Sequence, residues 1–364
     1  MKIAIAGLGL IGGSLGMALK KADDKLEIIG IDIDENIIEK GKSLQSIDWG
    51  TCSLEEGVKE ADVVFIAVSL SQTVSLAEKI LPFLKPGTVI SDTGSTKKQI
   101  SESISNIAKK REDVFYVGGH PMAGSEKSGI DAADPYLFEN AVYVILNDNS
   151  NLSARNKIIG IVEKTGARIL LLGSDEHDLM VASISHLPHL LAGALVNTVG
   201  EIEKEHENVF KIAAGGFRDV TRIADSQPEL WRDIFLSNKE SLLEVLKIYK
   251  SQIDELELYI RSENPGNLEE KLTRSKKLRE QVPKKVKGLL PTLSEIVVTI
   301  PDKPGEIGKV ANILGAKDIN IIDIEILRVR EGDGGTLRLG FIHENEREKA
   351  IEVLKFFGYG TKII

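Results

Sequence analysis

Short apolar runs alternate with longer stretches of helical period over the first 173 residues. The runs are Ile3–Ala6, Glu27–Asp32, Val63–Val68, Thr88–Asp92, Val114–Gly118, Val142–Leu146 and Arg168–Leu172. Strands separated by helices predict a parallel, doubly wound sheet. From Ser174 the period changes. Ser174-Asp175-Glu176 predicts a helix start, with a capping oxygen and acids at the positive end of the helix dipole. Leu179, Ile184, Leu187, Leu191, Leu195 and Val199 follow at roughly helical spacing. Pro188 is expected to kink or break that helix, and a second amphipathic stretch runs from Pro228 to Tyr259. Residues 262–292 are highly charged and carry Pro265, Gly266, Pro283, Gly288 and Pro291, which predicts a charged helix followed by a linker. From Leu293 the order is strand Glu295–Ile300, helix Ile307–Lys317, strands Ile321–Arg330 and Thr336–Phe341, helix Glu346–Phe357 and a last short strand. That is a ferredoxin-like βαββαβ unit. The expected division is therefore a sheet domain (1–173), a helical domain (174–283), a linker (284–292) and a small α/β domain (293–364).

Composition narrows the function classes. The 364 residues are 42% hydrophobic and 28% charged, enough to bury a core in two or three domains. The net charge of −9 argues against a nucleic-acid or anionic-membrane partner but leaves an anionic small molecule open. One cysteine, Cys52, excludes an intrachain disulfide and any multi-cysteine metal site. No apolar run approaches the length of a membrane span. Met1–Ala6 has the texture of a short signal core but runs straight into glycines, so it reads as structure. A cytoplasmic setting is expected.

Gly7-Leu8-Gly9-Leu10-Ile11-Gly12 follows the first strand and opens a helix. In that setting Gly7 serves the tight turn, Gly9 lets backbone approach a pyrophosphate, and Gly12 lets helix and strand pack closely. Asp32 stands twenty residues beyond Gly12, at the end of the second strand. It would bond a ribose 2′-hydroxyl and repel a 2′-phosphate, a repulsion that Asp34 strengthens, so NAD is favoured over NADP. The cofactor set is Gly7, Gly9, Leu10, Ile11, Gly12, Asp32 and Ser69, in a Rossmann-type sheet.

Ligands of such sheets lie at the carboxyl ends of the strands. Asp92-Thr93-Gly94-Ser95-Thr96-Lys97 and Gly118-Gly119-His120-Pro121-Met122-Ala123-Gly124-Ser125-Glu126 both fall there. His120 is the candidate general base, its neutral imidazole accepting a proton from a substrate hydroxyl. Ser95 fits either a polar neighbour of that imidazole or a helix N-cap. His177 reads as structural, bonding a neighbouring loop. His186 and His189 are spaced to share a metal on a helix, but Pro188 disturbs that helix and no Glu stands at matching spacing, so no metal is expected. Arg218 and Arg222 fit either a solvated helix face or anion binding. Trp231 fits packing or a subunit interface.

Gly7–Ser14, Asp92–Lys97, Gly119–Gly129, Ser185-His186-Leu187-Pro188-His189, Gly215–Ala224 and Trp231-Arg232-Asp233-Ile234-Phe235 occur in order across residues 1–260. Together they resemble the prephenate dehydrogenase family. The resemblance implies NAD-dependent oxidative decarboxylation of prephenate to 4-hydroxyphenylpyruvate in tyrosine biosynthesis. It implies that His120 is the catalytic histidine at the ring hydroxyl and that Ser95 supports it. It implies further that Arg222 holds a substrate carboxylate, that His186 is a second active-site histidine, and that Ser125, Glu126 and Arg218 are polar neighbours of the pocket. The family also implies a homodimer, built by the all-α dimerisation domain and with the active site between domains. Arogenate or dual-specificity cyclohexadienyl dehydrogenase remains the alternative substrate reading. Homoserine dehydrogenase shares the domain order but leaves the two histidine motifs unexplained. A non-catalytic NAD and amino-acid sensor is the alternative of another class.

Ile300-Pro301-Asp302-Lys303-Pro304-Gly305-Glu306-Ile307-Gly308 and Asn320-Ile321-Ile322-Asp323-Ile324 resemble the first loop and second strand of an ACT domain. The resemblance implies amino-acid binding at Asp302, Pro304, Gly305, Gly308 and Asn320, with tyrosine, the pathway product, as effector. A purely structural dimerising module is the other reading.

Overall fold

The structure is a computed structural model and describes residues 1–124, 127–148, 151–282, 293–301, 303–330 and 334–363. The chain divides into two compact units, Met1–Val286 and Lys287–Ile364. The expected linker, 284–292, and the expected boundary at 283 lie outside the described residues.

Six parallel strands form the sheet of the first unit. They are β1 (Lys2–Ala6), β2 (Glu27–Ile31), β3 (Trp49–Thr51), β4 (Val63–Ile66), β5 (Val89–Asp92) and β6 (Phe115–Val117), ordered β3-β2-β1-β4-β5-β6. β4 and β5 are wholly buried, because helices cover both faces of the sheet. The order reverses between β1 and β4, which opens a crevice at their carboxyl ends, the ligand position of such sheets. β3 is only Trp-Gly-Thr, too short to leave a periodic signal.

The next three strands do not extend that sheet, as the sequence had suggested. β7 (Gly119–Pro121), β8 (Val142–Leu146) and β9 (Arg168–Leu172) form a separate three-stranded sheet. β7 runs antiparallel to β8, and β9 parallel to it. Gly118 and Gly119 permit the switch between sheets. A Cβ on Gly118 would lie 2.7 Å from the Leu146 side chain, and one on Gly119 would lie 2.9 Å from the Asp92 carbonyl oxygen.

The helical part is built on Ser174–Val181 and Leu187–Glu203, joined by a π-helical turn, Ala182–His186. Pro188 therefore neither breaks the helix nor interrupts a regular α-turn. Lacking an N–H, it sits where the widened turn has already displaced the α-helical ladder. Ser174 does not cap this helix. Gly173 is the N-cap, and the Asp148 carboxylate accepts from the Ser174 N–H at 2.5 Å. By length and composition alone, Ser174–Glu203 is long and apolar enough to cross a membrane, which the sequence reading had excluded. It also carries buried His177, Asp178 and His186 and packs on Lys239–Arg261, the contacts of a helix inside a folded domain. The stretch from Pro228 divides into Pro228–Ser237 and Lys239–Arg261 at buried Asn238. Pro265–Glu280 follows.

The second unit has β10 (Ser294–Ile300), β11 (Asp323–Arg330), β12 (Gly334–Phe341) and β13 (Gly360–Ile363), with helices Glu306–Gly315 and Glu344–Phe356. Its antiparallel sheet, ordered β11-β12-β10-β13, packs Ile296, Val298, Leu337, Leu339 and Phe341 against Val310, Leu314, Ala350 and Leu354. This is the expected ferredoxin-like unit.

Candidate active site

The nucleotide end is set by glycine geometry. Gly7 has φ +94°, and a Cβ there would stand 2.5 Å from the Ala67 carbonyl oxygen. A Cβ on Gly12 would stand 1.9 Å from the Gly7 carbonyl oxygen, so the first helix could not pack on β1 with any larger residue. At Gly9 the same construction meets nothing within 4 Å, leaving room for a ligand. Gly9 is the N-cap of helix Leu10–Ala22 and brings no capping side chain, so first-turn N–H groups around Leu10 and Ile11 face the opening. The Asp32 carboxylate is held at the glycine turn by the Leu8 N–H (2.9 Å) and the Asp34 N–H (3.2 Å). Asp34 itself caps the next helix by accepting from the Asn36 N–H. Exposed Ser69 starts helix Leu70–Ile80 without capping it. Open backbone, free N–H groups and a carboxylate fit the pyrophosphate and ribose of NAD.

The reaction end is a buried polar network. His120 lies on β7 rather than on a loop. Its Nδ1 is 2.8 Å from His177 Nε2, and His177 Nδ1 is 2.8 Å from Asp178 Oδ1. Asp178 also accepts from the backbone N–H groups of Lys97 (2.7 Å) and Lys98 (2.9 Å), capping helix Lys98–Ala108 from another element. Ser95 is therefore not that helix's cap. It lies half-buried in the turn after β5, and among the described residues no hydrogen bond joins it to His120. Asn238 donates to the Asp178 carbonyl oxygen (2.7 Å) and lies 3.2 Å from His186 Nδ1.

Beneath His120 the wholly buried Lys97 ammonium pairs with the Asp92 carboxylate and donates to the Gly119 carbonyl oxygen at 2.8 Å. Asp92 takes further bonds from the Tyr116 hydroxyl (2.7 Å) and the Gly94 N–H (2.9 Å). Lys97 thus ties β5 to the backbone just before His120. Burial, then the neighbouring His177, Lys97 and His186, hold the His120 imidazole well below its ordinary pKa. Burial pushes His186 down to about 4, against the pull of Asp178. Both rings are neutral at pH 7, as a proton acceptor must be. His189 stacks on Trp231 at 3.5 Å with an interplanar angle of 8°, so it belongs to helix packing. Among the described residues no group of three or more potential ligands is arranged to hold a metal ion.

Arg218 and Arg222 are exposed, on helix Gly215–Thr221 and the one-turn helix Arg222–Ala224 that packs on Leu187–Glu203. Ser125 and Glu126 lie outside the described residues, as does Asp302. Pro304, Gly305, Gly308 and Asn320 are all exposed; Gly305, at φ +87°, starts helix Glu306–Gly315. Sequence reasoning did not foresee the hydrogen bonds of Asp178, Asn238 and Lys97, and it expected His177 to bond a neighbouring loop, whereas His177 bonds His120 and Asp178. The adjacent His-Asp pair just past β9 was the one available signal.

Comparison with known proteins agrees with this geometry. Residues 15–171 match the model for the prephenate dehydrogenase nucleotide-binding domain, residues 173–274 that for its dimerization domain, and residues 294–355 the ACT domain. Prephenate dehydrogenase of Bacillus subtilis (strain 168) is 37% identical, over 97% of this chain and 95% of that protein. That of Lactococcus lactis subsp. cremoris is 38% identical, over 97% of each. The crystal structure of prephenate dehydrogenase from A. aeolicus in complex with hydroxyphenyl propionate and NAD+ superposes with a TM-score of 0.72. It is 32% identical and covers 78% of this chain and 98% of that one. A dinucleotide turn, a neutral histidine just past the carboxyl end of β6 and relatives matched over nearly their whole length agree: the chain belongs to the prephenate dehydrogenase family.

Proposed function

We propose that the protein catalyses the NAD-dependent oxidative decarboxylation of prephenate to 4-hydroxyphenylpyruvate. The observation that carries this reading is the placement of His120, just past the carboxyl end of β6 and hydrogen-bonded to buried His177, where burial holds its pKa well below the ordinary value. NAD, when bound at the glycine turn, supplies the hydride acceptor. His120 accepts the ring hydroxyl proton as the hydride departs from the same carbon, and the ring carboxylate leaves as CO₂ with aromatisation as the driving force. Arg222 binds a substrate carboxylate, for which a guanidinium offers two parallel donors. His186, Ser95, Ser125, Glu126 and Arg218 line or tune the pocket. Asp32 selects NAD.

The helices after residue 173 leave much apolar surface uncovered, which supports a homodimer. We place the enzyme in the cytoplasm. The domains follow the sequence division, 1–173, 174–283 and 293–364, with 284–292 as linker. The C-terminal ACT unit binds an amino acid, and we take tyrosine as that effector, bound near Asp302, Pro304, Gly305, Gly308 and Asn320 and lowering activity through differential affinity for two states.

The test is NADH absorbance on adding prephenate or arogenate with NAD. Prephenate is expected to be the better substrate by kcat/KM; absence of turnover with prephenate sinks the reading. His120→Asn is expected to lower kcat by roughly 10²–10⁴-fold with NAD affinity retained, and a fully active variant removes His120 from the proton role. Addition of tyrosine is expected to reduce the rate; a rate unchanged at saturating tyrosine removes the effector assignment.

A further inference from the structure

The hydrogen bonds around His177 have a direction fixed by chemistry. Asp178 accepts from two backbone N–H groups, so its carboxylate is an acceptor throughout. His177 Nδ1, 2.8 Å from Asp178 Oδ1, must therefore carry the hydrogen in that contact. When His177 carries that one N–H alone, its Nε2 holds a lone pair. His120 Nδ1, 2.8 Å away, must then donate to it. His120 Nε2 is left with its lone pair, the form that a general base requires. Both His177 and Asp178 are wholly buried, with exposures of 0% and 1%, so water does not compete for either bond.

We infer that His177 and Asp178 are positioning residues for the reaction: they fix His120 as its Nδ1–H tautomer and share the proton that it takes up. This rests on the reading of His120 as base. The substrate O–H bond breaks and an Nε2–H bond forms on His120. The His120 Nδ1–H bond then breaks and an Nε2–H bond forms on His177, leaving the cation beside the Asp178 carboxylate. Reversal of both transfers returns the proton to the phenolic oxygen of the aromatised product, so the pair consumes no proton over a turnover. The other charged or titratable groups near the pair are Lys97 with its partner Asp92, and His186. The Lys97 ammonium is paired with Asp92 and His186 is neutral, which leaves the Asp178 carboxylate as the group that receives the cation. Asn238 adds a hydrogen bond to the Asp178 carbonyl, steadying the helix turn that carries the pair.

The test compares His177→Ala, His177→Gln and Asp178→Asn with His120→Asn in the full-length protein. His177→Ala is expected to lower kcat by about 100-fold with KM for NAD unchanged, and to shift the acidic limb of the kcat profile. Gln keeps an acceptor oxygen for the His120 Nδ1–H but cannot take a proton, so it is expected to restore part of the loss. Asp178→Asn is expected to reverse the bond direction and place hydrogen on His120 Nε2. The ¹⁵N shifts of labelled histidine in the resting protein read the tautomer directly, without activity and regardless of how a variant folds. Hydrogen on His120 Nε2 in the unmodified protein overturns the inference. So does a His177→Ala enzyme with unchanged kcat and pH profile while His120→Asn is inactive. An active His120→Asn enzyme overturns instead the base assignment on which it rests.

Discussion

In residues 1–173, β4 and β5 are wholly buried, and two large clusters of side chains fill both faces of the main sheet. In residues 174–282 the buried apolar cluster is Ala182, Leu187, Leu242 and Val245, while Leu179, Ile184, Leu195, Ile202, Leu243, Ile248 and Leu258 are exposed. The sheet half covers its apolar surface with its own helices. The helical half is left uncovered along several turns, because helices this few cannot wrap one another as they wrap a sheet. The buried polar network lies where the two halves meet, with Asp178 of one capping a helix of the other. The difference teaches that the sheet half buries its apolar surface internally, whereas the helical half leaves apolar surface open, which the proposed homodimer would cover.

The largest effect that tests this contrast is at Lys97. Lys97→Met leaves the Asp92 carboxylate buried without its counter-charge, and a loss of roughly 3–5 kcal/mol in unfolding free energy is expected by denaturant titration. Asp92→Asn in the same chain is expected to recover part of it. If Lys97→Met is as stable as the parent, the sheet half does not depend on that pair.

Acidification is the next largest. The folded value of about 4 for His186 lies below the ordinary 6.5, so the unfolded chain takes up this proton first. The stability it contributes is full above pH 6.5 and is lost as pH falls towards 4, about 3 kcal/mol in all. Thermal unfolding followed between pH 7 and 4 reads it, and His186→Asn is expected to flatten the dependence.

The smallest effect on the chain itself is at Ile184, which is 69% exposed. Ile184→Glu is expected to change monomer stability by no more than about 0.5 kcal/mol. On a face that a second subunit covers, the buried charge is expected to shift sedimentation towards monomer. An unchanged dimer would place the interface elsewhere.

Much of the fold was legible because its signals are local. The glycine turn after β1, the strand-helix alternation and the ferredoxin-like unit each follow from neighbouring residues. His120 was legible for the same reason, standing between glycines and proline at a strand end. The separate β7-β8-β9 sheet was not, since apolar strands look alike whichever sheet they join. The switch depends on how two glycines pack against Asp92 and Leu146.

The sequence by itself determined the nucleotide turn, the place of His120 just past a strand's carboxyl end and the succession of sheet, helices and ferredoxin-like unit. Each is fixed by residue type and short spacing. Only the tertiary structure decided which groups His120 meets. His177 lies 57 residues away from it, and Asp178 caps a helix some 80 residues earlier in the chain. Hydrogen-bond direction depends on which buried donors and acceptors meet, and that meeting is a property of packing that spacing along a chain does not encode.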